Sequence, residues 1–478
     1  MVVQHNLQAM NSNRMLGITT GSQAKSTEKL SSGYKINRAA DDAAGLSISE
    51  KMRKQIRGLT QASTNADDGV SAVQTAEGAL TEVHDMLQRM NELAVQAANG
   101  TNSANDRQSI QNEIEQLTTE IDRVAETTKF NETYLLKGGS NTTTRYMTGH
   151  DAGLDGTLID TAKVASFKIT KSSLQAGKQV TIGGKTYTIG MSSASAVQNV
   201  VKKTTMSSLK IDGKTYTIAS DYSAYQSTTV ANAAGVYTAK DAAKLVAAGS
   251  TVVENGVSYK AMEDSTSDGV DDTDSSFITS GYAAKLIVDE LKAANDIGAD
   301  SDKLSTVTNK DTDTVNDLTK IFSSSDTGLI TFRIDKGQAK IYDKLSFGLH
   351  VGADADMTNK INVDVSAMTA AGLGIKGLNV TDDTGKAATY AIDAIADAIQ
   401  VVSDQRSALG AVQNRLEHTI KNVDNVVENT TAAESRIRDT DIAEEMVTYS
   451  KNNILAQAGQ SMLAQANQST QGALSLLG

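Results

Sequence analysis

Residues 46–97 read LSISEKMRKQIRGLTQASTNADDGVSAVQTAEGALTEVHDMLQRMNELAVQA and carry a heptad repeat over most of their length. One set of seam positions holds Met52, Leu59, Ala66, Val73, Leu80, Leu87 and Ala94, and the interleaved set holds Ile48, Gln55, Ala62, Gly69, Ala76, Val83, Met90 and Ala97. This alternating three-and-four spacing predicts a coiled-coil helix, about 75 Å long at a rise of ~1.5 Å per residue. Such a helix cannot bury its own apolar stripe, so the stretch predicts other long helices that pack against it.

Two later segments carry the same spacing. The first begins at Ser103 with Asp106 three residues on, a capping-box variant, and its seam is Ile110, Ile114, Leu117, Ile121 and Val124. The second has the seam Ile392, Ile395, Ile399, Val402, Arg406, Leu409, Gln413, Leu416, Ile420, Val423 and Val427. The short connection at 99–102 predicts that the first of these helices lies antiparallel to 46–97, and Asn99-Gly100 predicts a left-handed helix end. The polar seam residues either set the register or are tolerated because the seam is solvated.

The two chain ends are weaker helix candidates. Residues 1–44 are polar, with Gly17 and Gly21 as expected interruptions and Gly33 and Gly45 as expected breaks, so this segment is expected to become helical with a partner. Residues 441–478 are amphipathic, rich in Ala and Gln, and poor in charge after Lys451. Two marginal helices beside a closed bundle pair most easily with each other or with other subunits.

From about residue 138 the heptads vanish and β-hairpin patterns take their place. Residues 180–189 and 209–218 share the string GKTYTI, and Gly183-Gly184, Asp212-Gly213 and Asn255-Gly256 fit two-residue turns. A helical patch is predicted at Ala283–Ala294, a further hairpin at Leu329–Ile341 around Asp335-Lys-Gly337, and strands near 345–351 and 361–365. The predicted fold class is therefore mainly α with an inserted β-rich region: both chain termini form a long-helix coiled-coil bundle, and the middle forms one or two α+β domains.

The composition favours long, uninterrupted helices. The 478 residues include no proline and no cysteine; proline breaks helix interiors, and a chain without cysteine has neither disulfides nor thiolate metal sites. The formal charge of −12 argues against nucleic-acid binding, and no apolar run approaches the ~18 residues of a membrane span. Because residues 1–20 lack a basic start and an apolar core, we expect no cleavable signal peptide and export by a dedicated route.

The polar residues form no catalytic constellation, so the sequence predicts no enzyme, no cofactor and no metal site. The histidines are scattered at His5, His84, His150, His350 and His418, outside the His-Glu-x-x-His pattern of zinc peptidases. Residues 264–269 resemble the start of a calcium loop, but Thr266 replaces a ligand and Ser275 stands where the loop needs Glu; a solvated acidic turn is the favoured interpretation. Residues 183–186 lack the first glycine of a phosphate loop and recur in a hairpin, so they are interpreted as a turn.

Long motifs at both ends resemble those of the bacterial flagellins. The N-terminal motif reads Leu30-Ser-Ser-Gly-Tyr-Lys-Ile-Asn-Arg-Ala-Ala-Asp-Asp-Ala-Ala-Gly-Leu-Ser-Ile48. The C-terminal motifs read Leu409-Gly-Ala-Val-Gln-Asn-Arg-Leu416, Ala433-Glu-Ser-Arg-Ile-Arg-Asp-Thr-Asp441 and Met462-Leu-Ala-Gln-Ala-Asn467. The resemblance covers about residues 1–140 and 345–478, and the middle resembles no family that we can name.

The resemblance implies a structural subunit that is exported unfolded and polymerises into the extracellular filament of the bacterial flagellum. It implies an inner terminal-helix domain from residues 1–44 and 436–478, a coiled-coil wall domain from 45–164 and 344–435, and variable outer domains at 165–343. The implied partners are other copies of the chain, the flagellar export chaperone, and the cap and hook-junction proteins. The heptads alone leave a second possibility open, a secreted coiled-coil adhesin or secretion-tip protein that stays monomeric.

The resemblance also implies binding by the flagellin-sensing Toll-like receptor of animals. The matching string is Leu87-Gln-Arg-Met-Asn-Glu-Leu93, and the implied receptor patch is Gln88, Arg89, Leu93 and Glu113. The alternative is an ordinary solvated helix face that also packs between filament subunits, and one patch can serve both roles.

Two departures from the family pattern stand out. Flagellins often carry a proline near the end, where this chain has Gln468-Ser-Thr-Gln471, and their usual Phe-Asn-Gly is here Phe130-Asn131-Glu132. The first puts the packing of the last turn in question, and the second puts the following turn in question.

Overall fold

The structure is a computed structural model that describes residues 6–219, 236–309, 328–382 and 384–475. The helices in these ranges are α1 (Leu7–Ser32), α2 (Ala43–Ala98), α3 (Ala104–Thr127), α4 (Ala194–Lys202), α5 (Ala239–Lys244), α6 (Ser280–Asn295), α7 (Ala370–Leu373), α8 (Lys386–Arg438) and α9 (Ile442–Ser475). The predicted fold class is confirmed: long helices come from both ends of the chain, and the strands lie between them in sequence.

The strands form several small sheets. They are β1 (Lys129–Phe130), β2 (Thr133–Tyr134), β3 (Thr142–Tyr146), β4 (Thr157–Asp160), β5 (Val164–Thr170), β6 (Gln179–Ile182), β7 (Lys185–Ile189), β8 (Ser208–Ile211), β9 (Lys214–Ala219), β10 (Val236–Thr238), β11 (Thr251–Glu254), β12 (Val257–Lys260), β13 (Phe277–Ile278), β14 (Thr306–Asn309), β15 (Leu329–Asp335), β16 (Gln338–Tyr342), β17 (Leu345–His350) and β18 (Lys360–Val365). The strand orders are β10-β9-β8-β11-β12, β14-β15-β5-β4 and β13-β7-β6, with the two-stranded pairs β1-β2, β16-β3 and β17-β18.

The long helices follow the predicted heptads. From Ala62 to Ala97 every position of both seam sets in α2 is buried, whereas Ile48, earlier in the same seam, is 46% exposed. Helix α8 buries one seam set, Ile395, Val402, Leu409, Leu416 and Val423, and leaves the polar Arg406 and Gln413 of the other set half-buried. The capping box at Ser103 and Asp106 is present at the start of α3. Helix α3 is antiparallel to α2, because Arg89 pairs with Glu113 while the later Ala97 accepts a hydrogen bond from the earlier Arg107.

The chain folds into two compact units, each with its own interior. One contains Met1–Val73, Phe347–Val363 and Gly410–Gly478. Its core joins α2, β18 and α8 through Ala66, Ile361 and Leu416, and the Ser63 hydroxyl donates to Asp424 across the helix pair at 3.0 Å. In this unit α1 also packs along α9.

The second unit contains Gln74–Ser346 and Asp364–Leu409 and has two separate β-rich cores. In one core Phe167 of β5 stacks on Phe332 of β15 with ring centroids 6.4 Å apart, and Ile287 and Leu291 of α6 pack in the same cluster. In the other, α4 and α5 contribute Val197, Val201 and Ala242 to a cluster with the five-stranded sheet.

The three predicted two-residue turns are confirmed. Each joins antiparallel neighbours, β6 to β7, β8 to β9 and β11 to β12. Their central residues all have positive φ: 54° and 74° at Gly183 and Gly184, 49° and 83° at Asp212 and Gly213, and 51° and 78° at Asn255 and Gly256. Two consecutive residues with positive φ are the requirement of the turn that matches strand twist. The helical patch predicted at Ala283–Ala294 is α6.

The predicted hairpin at Leu329–Ile341 is wrong. Strands β15 and β16 both form, but β15 pairs with β14 and β5, and β16 pairs with β3. Gly337 has no positive φ, so the tight turn is missing, and Lys336 is 7% exposed and forms an ion pair with Asp160. The buried lysine lies where the chain passes from one sheet to another.

The predictions based on four glycines also need correction. Helix α1 continues through Gly17 and Gly21, and Gly45 lies within the first turn of α2. Helix α2 ends at Ala98 as predicted, but neither Asn99 nor Gly100 has positive φ. The Asn102 amide caps this end by donating to the Gln96 carbonyl. Gly33 does end α1 in the left-handed conformation, with φ 77°.

Candidate assembly and receptor surfaces

The two chain-terminal helices form an antiparallel pair. At one end the Asn6 amide donates to the Ala466 carbonyl at 3.0 Å, and towards the other end Lys29 lies 3.5 Å from Glu445. Residue numbers therefore rise along α1 as they fall along α9. The expected pairing of the two ends with each other is confirmed, because the partner that orders residues 7–32 is the C-terminal segment of the same chain.

Small side chains occupy the contact between these helices. Ser26, Ala456 and Ala466 are 3%, 6% and 5% exposed. Gly459 faces Leu16, and a β-carbon at position 459 would lie 3.3 Å from Leu16 Cδ1. Small residues let two helix backbones approach closely, but they bury little apolar area. The pair therefore gains little stability from its own interior.

Large apolar side chains of the same helices face solvent. On α1 and α9 they are Leu7, Met10, Met15, Ile18, Ile442, Met446, Val447, Ile454, Leu455 and Met462, each between 47% and 71% exposed. Residues 6–24 and 452–475 contain one charged residue, Arg14. Large apolar side chains that stay exposed in such numbers on two neighbouring helices mark a protein contact. Hence the helix pair carries a candidate assembly surface.

Four residues, Tyr34, Glu50, Arg438 and Asp439, form a junction that ties α1, α2 and the end of α8 together. The Tyr34 and Asp439 backbones form an antiparallel bridge, and the Arg438 guanidinium lies 4.9 Å from the Tyr34 ring centroid. Arg438 also pairs with Glu50 at 2.7 Å and holds the pKa of that carboxyl below its ordinary value. Tyr34 and Arg438 both lie in the end motifs quoted above, but the sequence pattern alone predicts no contact between them.

The predicted receptor residues lie in two different environments, three of them exposed and one buried. Arg89 donates to Glu113 at 2.9 Å and pairs with Glu92 at 3.1 Å, and these carboxylates hold its pKa above the ordinary value. Gln88 is exposed and hydrogen-bonds with the His84 ring at 2.9 Å. Leu93 is 2% exposed. The structure thus brings Gln88, Arg89 and Glu113 together on one surface and places Leu93 beneath it.

The turn at Phe130-Asn131-Glu132, where flagellins usually have Phe-Asn-Gly, has a strained backbone. Asn131 and Glu132 have φ of 43° and 67° between strands β1 and β2, which pair antiparallel. Glycine adopts this conformation without steric cost, whereas a residue with a side chain does not. Glu132 therefore holds a backbone conformation suited to the glycine that the family usually has. At Gln468-Ser-Thr-Gln471, where flagellins often carry a proline, α9 continues without a break.

The described residues offer no group of three or more His, Asp or Glu side chains placed to hold a metal ion. In residues 264–269, which resemble the start of a calcium loop, the Asp264 carboxylate accepts hydrogen bonds from the backbone N–H groups of Asp268 and Gly269 at 3.0 and 2.9 Å. Its oxygens are thus used in holding the turn. No helix within the described ranges is long and apolar enough to cross a membrane.

Two family models match the chain ends. The bacterial flagellin N-terminal helical region matches residues 3–142, and the bacterial flagellin C-terminal helical region matches residues 392–477. The flagellin of Clostridium tyrobutyricum is 36% identical over 98% of this chain and 100% of its own length. Flagellin of Halalkalibacterium halodurans is 33% identical over 100% of both chains, and flagellin B of Vibrio anguillarum is 32% identical over 100% of this chain and 99% of its own length.

Among solved structures, FliC from Burkholderia pseudomallei is 18% identical, over 73% of this chain and 99% of that chain, with a TM-score of 0.25. The assignment rests on the sequence relatives, which match from end to end. The chain belongs to the bacterial flagellins, the structural proteins of the extracellular flagellar filament.

Proposed function

We propose that this chain is exported unfolded and polymerises through α1, α9 and its coiled-coil helices into the flagellar filament. In this arrangement residues 1–44 and 436–478 form the inner terminal-helix domain, 45–164 and 344–435 the wall domain, and 165–343 the outer domains. The proposed role is structural, with no enzymatic activity.

The observation that supports polymerisation is the burial pattern of the terminal helices. Small side chains are buried between the two helices, whereas most of their large apolar side chains are exposed to solvent. Ten side chains that are about half exposed would contribute on the order of 10 kcal/mol if neighbours buried them. Association itself costs roughly 4–15 kcal/mol, so a subunit gains from contacts with several neighbours at once. By helical periodicity the exposed residues of α9 lie on more than one face, which suits such an arrangement.

Two features of composition support passage through a narrow channel as an unfolded chain. Without cysteine no disulfide can form before export, and without proline refolding outside the cell has no slow prolyl isomerisation step. The proposed partners on this route are an export chaperone, and then the cap and hook-junction proteins at the growing filament.

Electron microscopy of the purified chain after salt-induced assembly tests the polymer. The comparison is a variant lacking residues 1–44 and 436–478. We expect tubes from the full chain and monomers from the variant. A full chain that stays monomeric under several salt conditions and with added filament seeds would leave the alternative, a secreted monomeric coiled-coil ligand.

A second proposed role is recognition by the flagellin-sensing Toll-like receptor of animals, at Gln88, Arg89, Leu93 and Glu113. The observation that favours it is the exposed Arg89–Glu113 pair with Gln88 one residue away on the same helix. Receptor-reporter cells treated with monomeric Arg89→Ala and Glu113→Ala chains test it, with Asp85→Ala on the same helix as the control. We expect at least a tenfold loss of potency for the first two variants only, and an unchanged response would remove this role.

A further inference from the structure

Within the described ranges, most of the exposed methionines lie on the terminal helices. Met10, Met15, Met446 and Met462 are 63%, 53%, 50% and 53% exposed. Elsewhere in the described ranges the exposed methionines are Met206 and Met357, at 38% and 74%. Met90, Met147, Met262 and Met368 are at most 4% exposed and belong to the cores, and Met52, Met86 and Met191 are half-buried. Four of the six exposed methionines among the described residues therefore lie on α1 and α9.

The four terminal methionines are at least half exposed in the single chain. The contact between α1 and α9 is filled by Ser26, Ala456, Gly459 and Ala466, so the thioether side chains remain outside it. The pairing of Asn6 with Ala466 and of Leu16 with Gly459 puts Met10 and Met462 at nearly the same level of the helix pair. At this level two thioethers face solvent on neighbouring helices that carry hardly any charge.

We propose that the thioethers of Met10, Met15, Met446 and Met462 are an oxidation site of the unassembled subunit, where a peroxide blocks polymerisation. This inference rests on the proposed filament function. In the reaction the sulfur attacks hydrogen peroxide and the O–O bond breaks. An S–O bond forms, and the remaining oxygen leaves as water with both peroxide protons. Each sulfur loses two electrons and becomes a sulfoxide, and the peroxide is reduced.

The sulfoxide changes the chemistry of the assembly surface. A flexible apolar side chain becomes polar, and a neighbouring subunit that covers it removes the new S=O group from water without supplying a hydrogen bond. Assembled subunits have these sulfurs covered, and access governs their oxidation. The subunit is thus sensitive before polymerisation and protected after it, and sulfoxide reductases can reverse the modification.

The test measures the critical concentration for assembly of the full chain before and after hydrogen peroxide, with the oxidised positions located by peptide mass spectrometry. We expect sulfoxide at the four terminal methionines and at Met206 and Met357, and at least a tenfold rise in critical concentration. Treatment with both methionine sulfoxide reductases is expected to restore the original value. Preformed filaments treated in the same way are expected to stay unmodified at the terminal positions.

Two leucine variants identify the responsible sulfurs, because Met→Leu keeps side-chain volume nearly constant. The variant that combines Met10→Leu, Met15→Leu, Met446→Leu and Met462→Leu is expected to assemble equally well with and without peroxide. The matched control, Met206→Leu with Met357→Leu, is expected to stay as sensitive as the natural chain. Equal assembly of oxidised and untreated natural chains would overturn the proposal while leaving the filament function intact. Failure of the untreated chain to assemble at all would instead reject the filament function.

Discussion

Leu16 of α1 lies against Gly459 of α9, so closely that a β-carbon at position 459 would be 3.3 Å from Leu16 Cδ1. A leucine side chain at position 459 would crowd Leu16, so Gly459→Leu is expected to push the two helices apart and weaken their pairing. Hydrogen exchange of the monomer is the measurement, with at least a tenfold loss of protection expected in both α1 and α9. Since helices of this kind are marginal alone, the same variant is expected to lose filament assembly.

Gly17→Leu is the matched control for this prediction. A β-carbon at Gly17 of α1 meets nothing within 4 Å, and replacing a mid-helix glycine removes a helix penalty of about 1 kcal/mol. Protection in α1 should therefore stay equal or increase. Equal protection in Gly459→Leu and Gly17→Leu would show that the Leu16 contact does not hold the pair.

Patterns among residues close in sequence predicted the helices and the tight turns. Which distant strands pair with each other could not be predicted from the sequence. The heptads of α2 and α8 depend on neighbours three and four residues away, and Asn255-Gly256 carries its turn geometry in two residues. The pairing of β15 with β5 could not be predicted in this way, because more than a hundred residues separate the two strands. Lys336 looked like part of a polar turn, and only the three-dimensional fold supplies the Asp160 carboxylate that lets it be buried.

The candidate surfaces were also predictable from the sequence only in part. The end segments were expected to pair, and they do, but weak patterning gave no sign that small residues would be inside and large apolar ones outside. The receptor residues came from the family resemblance. The burial of Leu93 could not be predicted from the heptads, because Leu93 lies outside both seam sets and a helix in a bundle buries a wider stripe than two seam positions define.

Replacing Glu132 by glycine is expected to stabilise the β1–β2 turn. Glu132 has φ 67°, a conformation that costs a residue with a β-carbon about 1–2 kcal/mol relative to glycine. Glu132→Gly should therefore raise the free energy of unfolding by about 0.5–1 kcal/mol after the greater freedom of glycine in the unfolded chain is subtracted. Thermal unfolding followed by circular dichroism measures it. The control Glu132→Ala keeps the β-carbon and should bring no gain; an equal gain in both variants would assign the effect to the charge.

The Lys260–Asp271 pair is expected to make part of the second unit acid-sensitive. The Asp271 side chain is fully buried and 3.0 Å from Lys260 Nζ, which also lies 4.6 Å from the Phe277 ring centroid. Burial alone would raise the pKa of Asp271, but hydrogen bonds from Thr273, Lys260 and two backbone N–H groups outweigh it and lower the pKa from 3.8 to about 2.

Because the folded pKa is the lower one, this carboxylate stabilises the fold fully above pH 4, and the contribution, about 2 kcal/mol, is lost as the pH falls from 4 towards 2. Melting temperatures at pH 6, 4 and 3 measure the loss. Asp271→Asn should flatten this dependence and destabilise the unit at pH 6, because Lys260 keeps a buried charge without its partner. The exposed Asp85→Asn should keep the natural pH profile. A flat profile in the natural chain would contradict the assigned role of the pair.

Leu93 and Arg89 are expected to affect receptor signalling by different routes. Leu93 is 2% exposed, so Leu93→Ala should cost about 2–4 kcal/mol of stability, whereas Gln88→Ala on the exposed face should change stability by no more than ~0.5 kcal/mol. Thermal unfolding and receptor-reporter activity are measured on the same preparations, with Leu93→Met as the volume-conserving control. If Leu93 supports the helix that carries Arg89, Leu93→Met keeps both stability and signalling, and Leu93→Ala loses both. A Leu93→Met chain with natural stability but lost signalling would instead mean that the receptor contacts the leucine side chain directly.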